Sequence, residues 1–449
     1  MKILQIKTRG VKNIEKDLTI SFCNATIENG IKNVSKIKGI YGYNGAGKSA
    51  FITSIELYKK ISTDRDYLLS SYNQSKLLKL INKNIKEYYI EFIFQEDEDE
   101  KPVIYKHSVL LSYDKIELKF KIATESFDIL KGRTLNTADL QNIFIVKNGN
   151  ILFNTTTNSL IRNFYVENIR QSNGTALVNS LFIKVLAYFT KNKQKNFKFE
   201  ELEKIIDLYA LPAFISTYLL SDDKHEPKRI DTNLLNKLFD ALKKSDKQLN
   251  IDEFLTIETN DEFEENVNKK QLPVYEAQTK HLENFIKIFK PELKRIIIDK
   301  KVENEVIHCR RIFDYGKNLQ IDVEYESSGI KHLIQLHKYL QEYINGEFVF
   351  IDEIDVNINS VFLCKLIDFL SYAGKGQLCF TSHNLEPMNT IKNIKASICA
   401  IGYDGNLDVW VKNGNKSPSS DYYKGEFEHS PFNVESFDFY SCFKIEENE

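Results

Sequence analysis

The chain reads as an α/β fold, and three observations carry that reading. A glycine-rich octapeptide, Gly42-Tyr43-Asn44-Gly45-Ala46-Gly47-Lys48-Ser49, stands between a short apolar strand and an amphipathic helix. A second apolar strand, Phe348-Val349-Phe350-Ile351, ends in two carboxylates, Asp352 and Glu353. Between them, from Tyr88 to about Phe153, the pattern turns to β.

Residues 1 to 48 read as strands leading into the octapeptide, the last of them Ile37–Tyr41. Phe51, Ile52, Ile55, Tyr58 and Ile61 then follow at helical spacing, and residues 50 to 86 are mostly helical. Strands are expected at Tyr88–Phe94, Val103–Ser112, Ile116–Ile122 and Ile143–Val146, forming an antiparallel subdomain with a turn at Asn148-Gly149-Asn150. The acidic run Glu96–Glu100 fits a solvated hairpin loop better than a metal site. From about Ser159 to Phe289 the chain reads helical, as in Ala176–Phe189, Phe199–Tyr209, Leu234–Leu242 and Val274–Phe289. None of these segments sustains the heptads of a long coiled coil. Lys191–Lys195 is a short basic run of the kind that usually marks a solvated loop. Strands return at Arg295–Ile298, Glu305–Phe313 and Leu319–Tyr325. The expected division is a head formed by residues 1–155 and 291–449, with a helical insertion at 156–290.

The octapeptide follows the G-x-x-x-x-G-K-[ST] pattern of a phosphate-binding loop. Its glycines let backbone N–H groups turn onto phosphate oxygens, and the following helix adds its positive end. Gly42, Asn44, Gly45, Ala46 and Gly47 form the cradle, Lys48 reaches the β/γ-phosphates, and the Ser49 hydroxyl is a Mg²⁺ ligand. Asp352, at the C-terminal end of a buried strand, is the second metal-side group. Glu353 is the candidate general base for an attacking water. Glu326-Ser327-Ser328-Gly329 opens a helix through Leu333, Leu336 and Leu340. Ser327 and Gly329 there offer a hydroxyl, backbone N–H groups and a helix dipole to an anion, although a plain helix cap would look the same. Gln377–Thr381 is another short strand, delivering Ser382-His383-Asn384 to the same sheet edge, where His383 could meet the γ-phosphate or the water.

The order of phosphate loop, long insertion, Ser-x-Gly signature, φφφφ-Asp-Glu and Thr-Ser-His resembles the ABC-class ATPases. Within that class it resembles the SMC, RecF and OLD branch, and in particular the AAA-type ATP-binding subunits of bacterial phage-defence systems of the AbiL, Septu and PARIS type. Glu326–Gly329, Ile351-Asp352-Glu353-Ile354-Asp355 and Tyr423-Lys424-Gly425-Glu426-Phe427 with Pro431 carry that likeness. Three features depart from it. Asn357-Ile358-Asn359 replaces a Leu-His-Pro, which puts the D-loop role of Asp355 in question. Thr8-Arg9-Gly10 blurs an aromatic-Arg pair. No clear Q-loop glutamine stands out, Gln95 and Gln141 being the candidates.

The resemblance implies an ABC-type head that binds ATP and Mg²⁺. It also implies a head-to-tail homodimer, or a higher homo-oligomer, in which Ser327 of one copy completes the ATP site of the other. Applied to the whole chain, it implies a regulatory ATPase that holds or releases a separate nuclease or toxin effector in abortive infection. The stretch after His383 is too short for the Toprim nuclease that ends OLD proteins. The alternative is a compact RecF- or SMC-like repair ATPase with DNA as partner. A transporter ATPase is disfavoured by the long separation of Ser49 from Glu326.

Composition fits these readings. The 449 residues are 42% hydrophobic and 28% charged, with a net charge of −2, which excludes a bulk polycation but not a local basic face. No run has the length of a membrane span, and Met1-Lys2-Ile3-Leu4 begins a strand rather than a signal peptide, so a cytoplasmic location is expected. The six cysteines are scattered without a C-x-x-C and are expected to be buried free thiols. Trp410 is expected in a strand core.

Overall fold

A computed structural model describes residues 1–24, 26–27, 31, 33–64, 66–98, 101–135, 138–154, 199–219, 264–303, 306–402, 405–411, 416–427 and 430. The fold is mixed α/β, with a parallel sheet and a separate antiparallel one.

The antiparallel sheet has seven strands in the order β2-β1-β4-β5-β6-β7-β8. They are β1 (Lys2–Arg9), β2 (Leu18–Ser21), β4 (Glu87–Glu98), β5 (Lys101–Asp114), β6 (Lys119–Lys131), β7 (Asp139–Lys147) and β8 (Asn150–Asn154). Each β-rich run of the sequence lies in one of these strands, except that Ile116, Glu117 and Leu118 belong to the β5–β6 turn. Asn148 and Gly149, at φ 47° and 74°, make the tight turn between β7 and β8. Part of the acidic run, Glu96–Glu98, continues β4, and Glu96 pairs with the N-terminal ammonium at 3.1 Å. Residues 99–100 lie outside the described residues.

The parallel sheet has the order β17-β16-β3-β15-β14-β9. Its strands are β3 (Ile37–Gly42), β9 (Ile215–Tyr218), β14 (Phe348–Ile351), β15 (Gln377–Thr381), β16 (Ile398–Ile401) and β17 (Leu407–Val409), of which only β17 runs antiparallel. Side chains alternate across it. Phe348 and Phe350 enter one core with Ile40 and with Phe51 and Ile55 of α1 (Lys48–Thr63). Val349 and Ile351 enter a second core with Leu333, Leu336 and Leu340 of α5 (Ser328–Asn345) and Ile367 of α6 (Ser360–Ala373). Burial on both faces is why β14 reads as an unbroken apolar run. Each such side chain contributes about 1.5–3 kcal/mol. Gln377 ties this sheet to the antiparallel one: its amide accepts the Ile3 N–H at 2.6 Å and donates to the Ile3 carbonyl at 2.9 Å.

The remaining described elements are α2 (Ser71–Leu80), α3 (Phe199–Ala213), α4 (Leu272–Phe289), α7 (Glu386–Ile391), α8 (Pro418–Tyr423), and a small sheet of β10 (Glu264–Asn268), β11 (Arg295–Glu303), β12 (Val306–Gly316) and β13 (Leu319–Asp322). Residues 323–325, expected to continue β13, form one tight helical turn.

The helical reading of Ser159 to Phe289 is corrected at two places. Ile215–Tyr218 is a strand that pairs in parallel with β14, and Glu264–Asn268 pairs with β12. A four-residue strand buried beside another strand leaves no periodicity to read, and only its pairing partner reveals it. The expected helices Ala176–Phe189 and Leu234–Leu242 and the Lys191–Lys195 run lie outside the described residues.

Cys23, Cys309, Cys379 and Cys399 are buried, Cys364 is half-buried, and all five are free; Cys442 lies outside the described residues. Burial pushes the Cys23 thiol up to about 11. Trp410, just past β17, stacks on Phe427 with ring centroids 5.6 Å apart. Among the described residues no helix is long and apolar enough to cross a membrane.

Candidate functional site

The glycine loop lies between the C-terminal end of β3 and the first turn of α1. Gly42 has φ 135°, and a Cβ there would stand 2.3 Å from the Ile401 carbonyl of the neighbouring strand, so only glycine fits. Gly47, at φ 114°, is the cap position of α1, and among the described residues no side chain caps that helix. Its first turn carries no acidic residue either. Unpaired N–H groups and the positive end of a 16-residue helix therefore point into the loop, which suits an anion. Asn44 and Gly45 are exposed at its rim, while Ala46, Gly47 and Lys48 are buried. The Asn13 amide donates to the Gly45 carbonyl and braces the rim from outside.

Lys48 folds its ammonium onto the loop, donating to the Gly42 and Tyr43 carbonyls at 2.8 and 2.9 Å. Burial lowers its basicity, and the carboxylates of Asp352, Glu353 and Asp355 oppose that effect. The Ser49 hydroxyl donates to Asp352 Oδ1 at 3.0 Å. A serine hydroxyl and one carboxylate suit Mg²⁺, a hard cation usually held by one or two protein oxygens plus substrate phosphates.

Parallel pairing brings the other groups to the same edge. Glu353 follows β14 directly and sits in the left-handed region at φ 52°, a strained conformation for a non-glycine residue that costs about 1–3 kcal/mol. Thr381, the last residue of β15, holds it there. The Thr381 hydroxyl accepts the Glu353 N–H at 2.7 Å and donates to Asp352 Oδ1 at 2.7 Å. One fully buried hydroxyl thus fixes both Asp352 and Glu353. His383 Nε2 stands 3.8 Å from Glu353 Oε1, both side chains being partly exposed. Asp355 accepts the backbone N–H groups of His383 and Asn384 at 3.0–3.3 Å, and so positions the histidine loop.

Ser327 caps α5 weakly, its hydroxyl accepting from the Ile330 N–H at 3.4 Å. The preceding Glu326 is buried, accepting the Tyr315 hydroxyl at 2.5 Å and the Ser327 N–H at 3.1 Å. Ser327 and Gly329 line a cleft of about 220 Å³ with Phe289, Asn357 and Phe362. Among the described residues no hydrogen bond joins Ser327 to Gly42–Ser49 of the same chain.

The structure therefore brings Lys48, Ser49, Asp352, Glu353 and His383 together, and sets Ser327 and Gly329 at a separate helix start. Of the two glutamine candidates, Gln95 is buried in β4, accepting the Ile31 N–H at 2.7 Å, and Gln141 is exposed on β7. Sequence reading did not foresee the bridging role of Thr381 or the clamp by Asp355. The available signal was a hydroxyl ending one parallel strand beside a carboxylate ending the next.

No family model and no curated protein matches the chain. Among solved structures, it is similar to an Smc head bound to the C-winged helix domain of ScpA, at 13% identity and a TM-score of 0.43 over 92% of this chain and 98% of that one. It is also similar to an Smc head domain with an extended coiled coil, bound to the C-terminal domain of ScpA and derived from Pyrococcus furiosus. That match has 15% identity and a TM-score of 0.42, over 91% of this chain and 96% of that one.

Proposed function

We propose that the chain is an ABC-type ATPase that binds and hydrolyses ATP with Mg²⁺, and that two copies close head to tail around the nucleotide. The observation that carries this is the convergence at one sheet edge of the glycine loop, the Ser49–Asp352 contact and the Glu353–His383 pair. The N–H groups of the loop and Lys48 hold the phosphates, and Lys48 exchanges its two loop carbonyls for phosphate oxygens. Ser49 and Asp352 would hold Mg²⁺, which when bound offsets phosphate charge. Glu353 takes the proton of the attacking water, and His383 orients that water or the γ-phosphate. The exposed Ser327 end of α5 supplies donors to the γ-phosphate bound by the other copy.

Lys48→Ala tests the nucleotide reading. ATP hydrolysis and ATP binding should both fall, turnover by about 10²-fold or more. Wild-type turnover in this variant would remove the loop from the chemistry.

The finer reading makes the chain the regulatory subunit of an anti-phage, abortive-infection system that holds or releases a separate nuclease or toxin. Its support is the motif likeness at Glu326–Gly329, Ile351–Asp355 and Tyr423–Phe427. The test is mass spectrometry of what co-purifies with tagged Glu353→Gln protein from its host, with and without phage. A stoichiometric nuclease or toxin-like protein, altered on infection, is expected. Recovery of DNA with repair proteins instead would replace this reading with a RecF-like one.

A further inference from the structure

Among the buried titratable side chains that the proposed chemistry leaves unused is His332. It lies in the second turn of α5, beyond the Ser327 cap, and is 5% exposed. Its Nδ1 is 2.8 Å from the Tyr218 hydroxyl. Its Nε2 is buried and finds no hydrogen-bond partner among the described residues.

Tyr218 ends β9, and its carbonyl accepts the Asp352 N–H at 2.8 Å. This residue therefore meets α5 through its side chain and the carboxylate strand through its backbone. The loop after Glu353 also acts on the ring. Burial lowers the imidazole below the ordinary histidine range, while the Ile354 carbonyl and the Asp355 carboxylate raise it. A neutral ring that accepts the phenol proton at Nδ1 carries its own proton on Nε2. The orphaned atom is thus a buried N–H donor on the helix that starts at Ser327.

We propose that His332 is a positioning residue that couples the Ser327 end of α5 to the strand end bearing Asp352 and Glu353, through the Tyr218 hydroxyl on its Nδ1 and the Tyr218 carbonyl on the Asp352 N–H. This rests on the ATPase reading above. Tyr218 fixes the tautomer and the ring plane. The coupling acts on the placement of Glu353 and His383, so it governs turnover rather than nucleotide affinity.

The test is steady-state ATP hydrolysis by the full chain, comparing wild type with His332→Phe, His332→Gln, Tyr218→Phe and the Phe/Phe double variant. Thermal unfolding and ATP binding are measured on each. His332→Phe should lower kcat about tenfold with KM within about twofold. His332→Gln, whose amide oxygen can still accept the Tyr218 hydroxyl, should recover most of the loss. Tyr218→Phe should lower kcat in the same way, and the double variant should be no slower than His332→Phe alone, because the two residues act as one unit. Unchanged kcat in Tyr218→Phe overturns the proposal even if His332→Phe fails to fold. A Gln variant as slow as the Phe variant also overturns it, leaving only a packing role. Absence of turnover in the wild type would instead defeat the ATPase reading, and this inference with it.

Discussion

Replacing Glu353 with Gln lowers ATP turnover by about 10²–10⁴-fold and leaves an ATP-bound dimer that persists in gel filtration. The substitution is nearly isosteric, and it keeps the two features that place the side chain. The Glu353 N–H still bonds the Thr381 hydroxyl, and the left-handed backbone at φ 52° is unchanged. Only the proton acceptor is lost. Binding groups supplied by the loop, Lys48, Ser49 and Asp352 remain, so ATP still enters. With cleavage blocked, the nucleotide that bridges the copies is not removed, and the closed state accumulates. Single-turnover hydrolysis and light scattering on the same sample check both halves. Unchanged turnover would take the base role away from Glu353 and pass the question to His383.

Ser327→Arg gives the complementary result: monomers that bind ATP but neither dimerise nor turn it over. Ser327 is exposed and makes no hydrogen bond with its own chain's phosphate loop, so a long side chain there leaves the Lys48 site intact. In a closed dimer the long side chain has to fit where a serine hydroxyl meets the other copy's phosphate, and its bulk holds the two surfaces apart, at a cost of about 1–3 kcal/mol or more. That lowers dimer association by about 10–10²-fold or more. Loss of the cap itself costs the helix about 1 kcal/mol, which thermal unfolding would register separately. Equilibrium sedimentation with ATP, in the Glu353→Gln background, is the direct measurement. A full dimer there, or a loss of ATP binding by the monomer, would speak against the composite site.

Much of this site was legible because its residues occupy a fixed place in a short strand-loop-helix unit. A glycine loop between Ile37–Tyr41 and the Phe51–Ile61 helix can hardly be placed anywhere but at a sheet edge. Four apolar residues ahead of Asp352 declare a buried strand for the same reason. What escaped reading depends on distant pairing. Ile215–Tyr218 becomes a strand only because β14 lies beside it, and its sequence carries no alternation. Thr381 joins Asp352 to Glu353 only because β15 and β14 are neighbours. His332 reads as one more position on an amphipathic helix until Tyr218 is set against it. Local periodicity sees one element at a time, whereas these contacts each join two or three.

The strand order also dictates when the site can come into being. The seven antiparallel strands all lie within the first 154 residues, so their partners are synthesised close together. The β3 strand, which carries the glycine loop, lies between β15 and β16, and these end at Thr381 and Ile401. At about 5–20 residues per second, a ribosome takes roughly 20–70 s to travel from the loop to the second of them. During that interval the loop has been made but has neither flanking strand, and α1 has no parallel sheet to lean on. The antiparallel half can organise first, as a platform that waits for its long-range partners. Nucleotide binding on the nascent chain would thus mark a late event, set by the arrival of Ile401 and not by the early synthesis of Lys48.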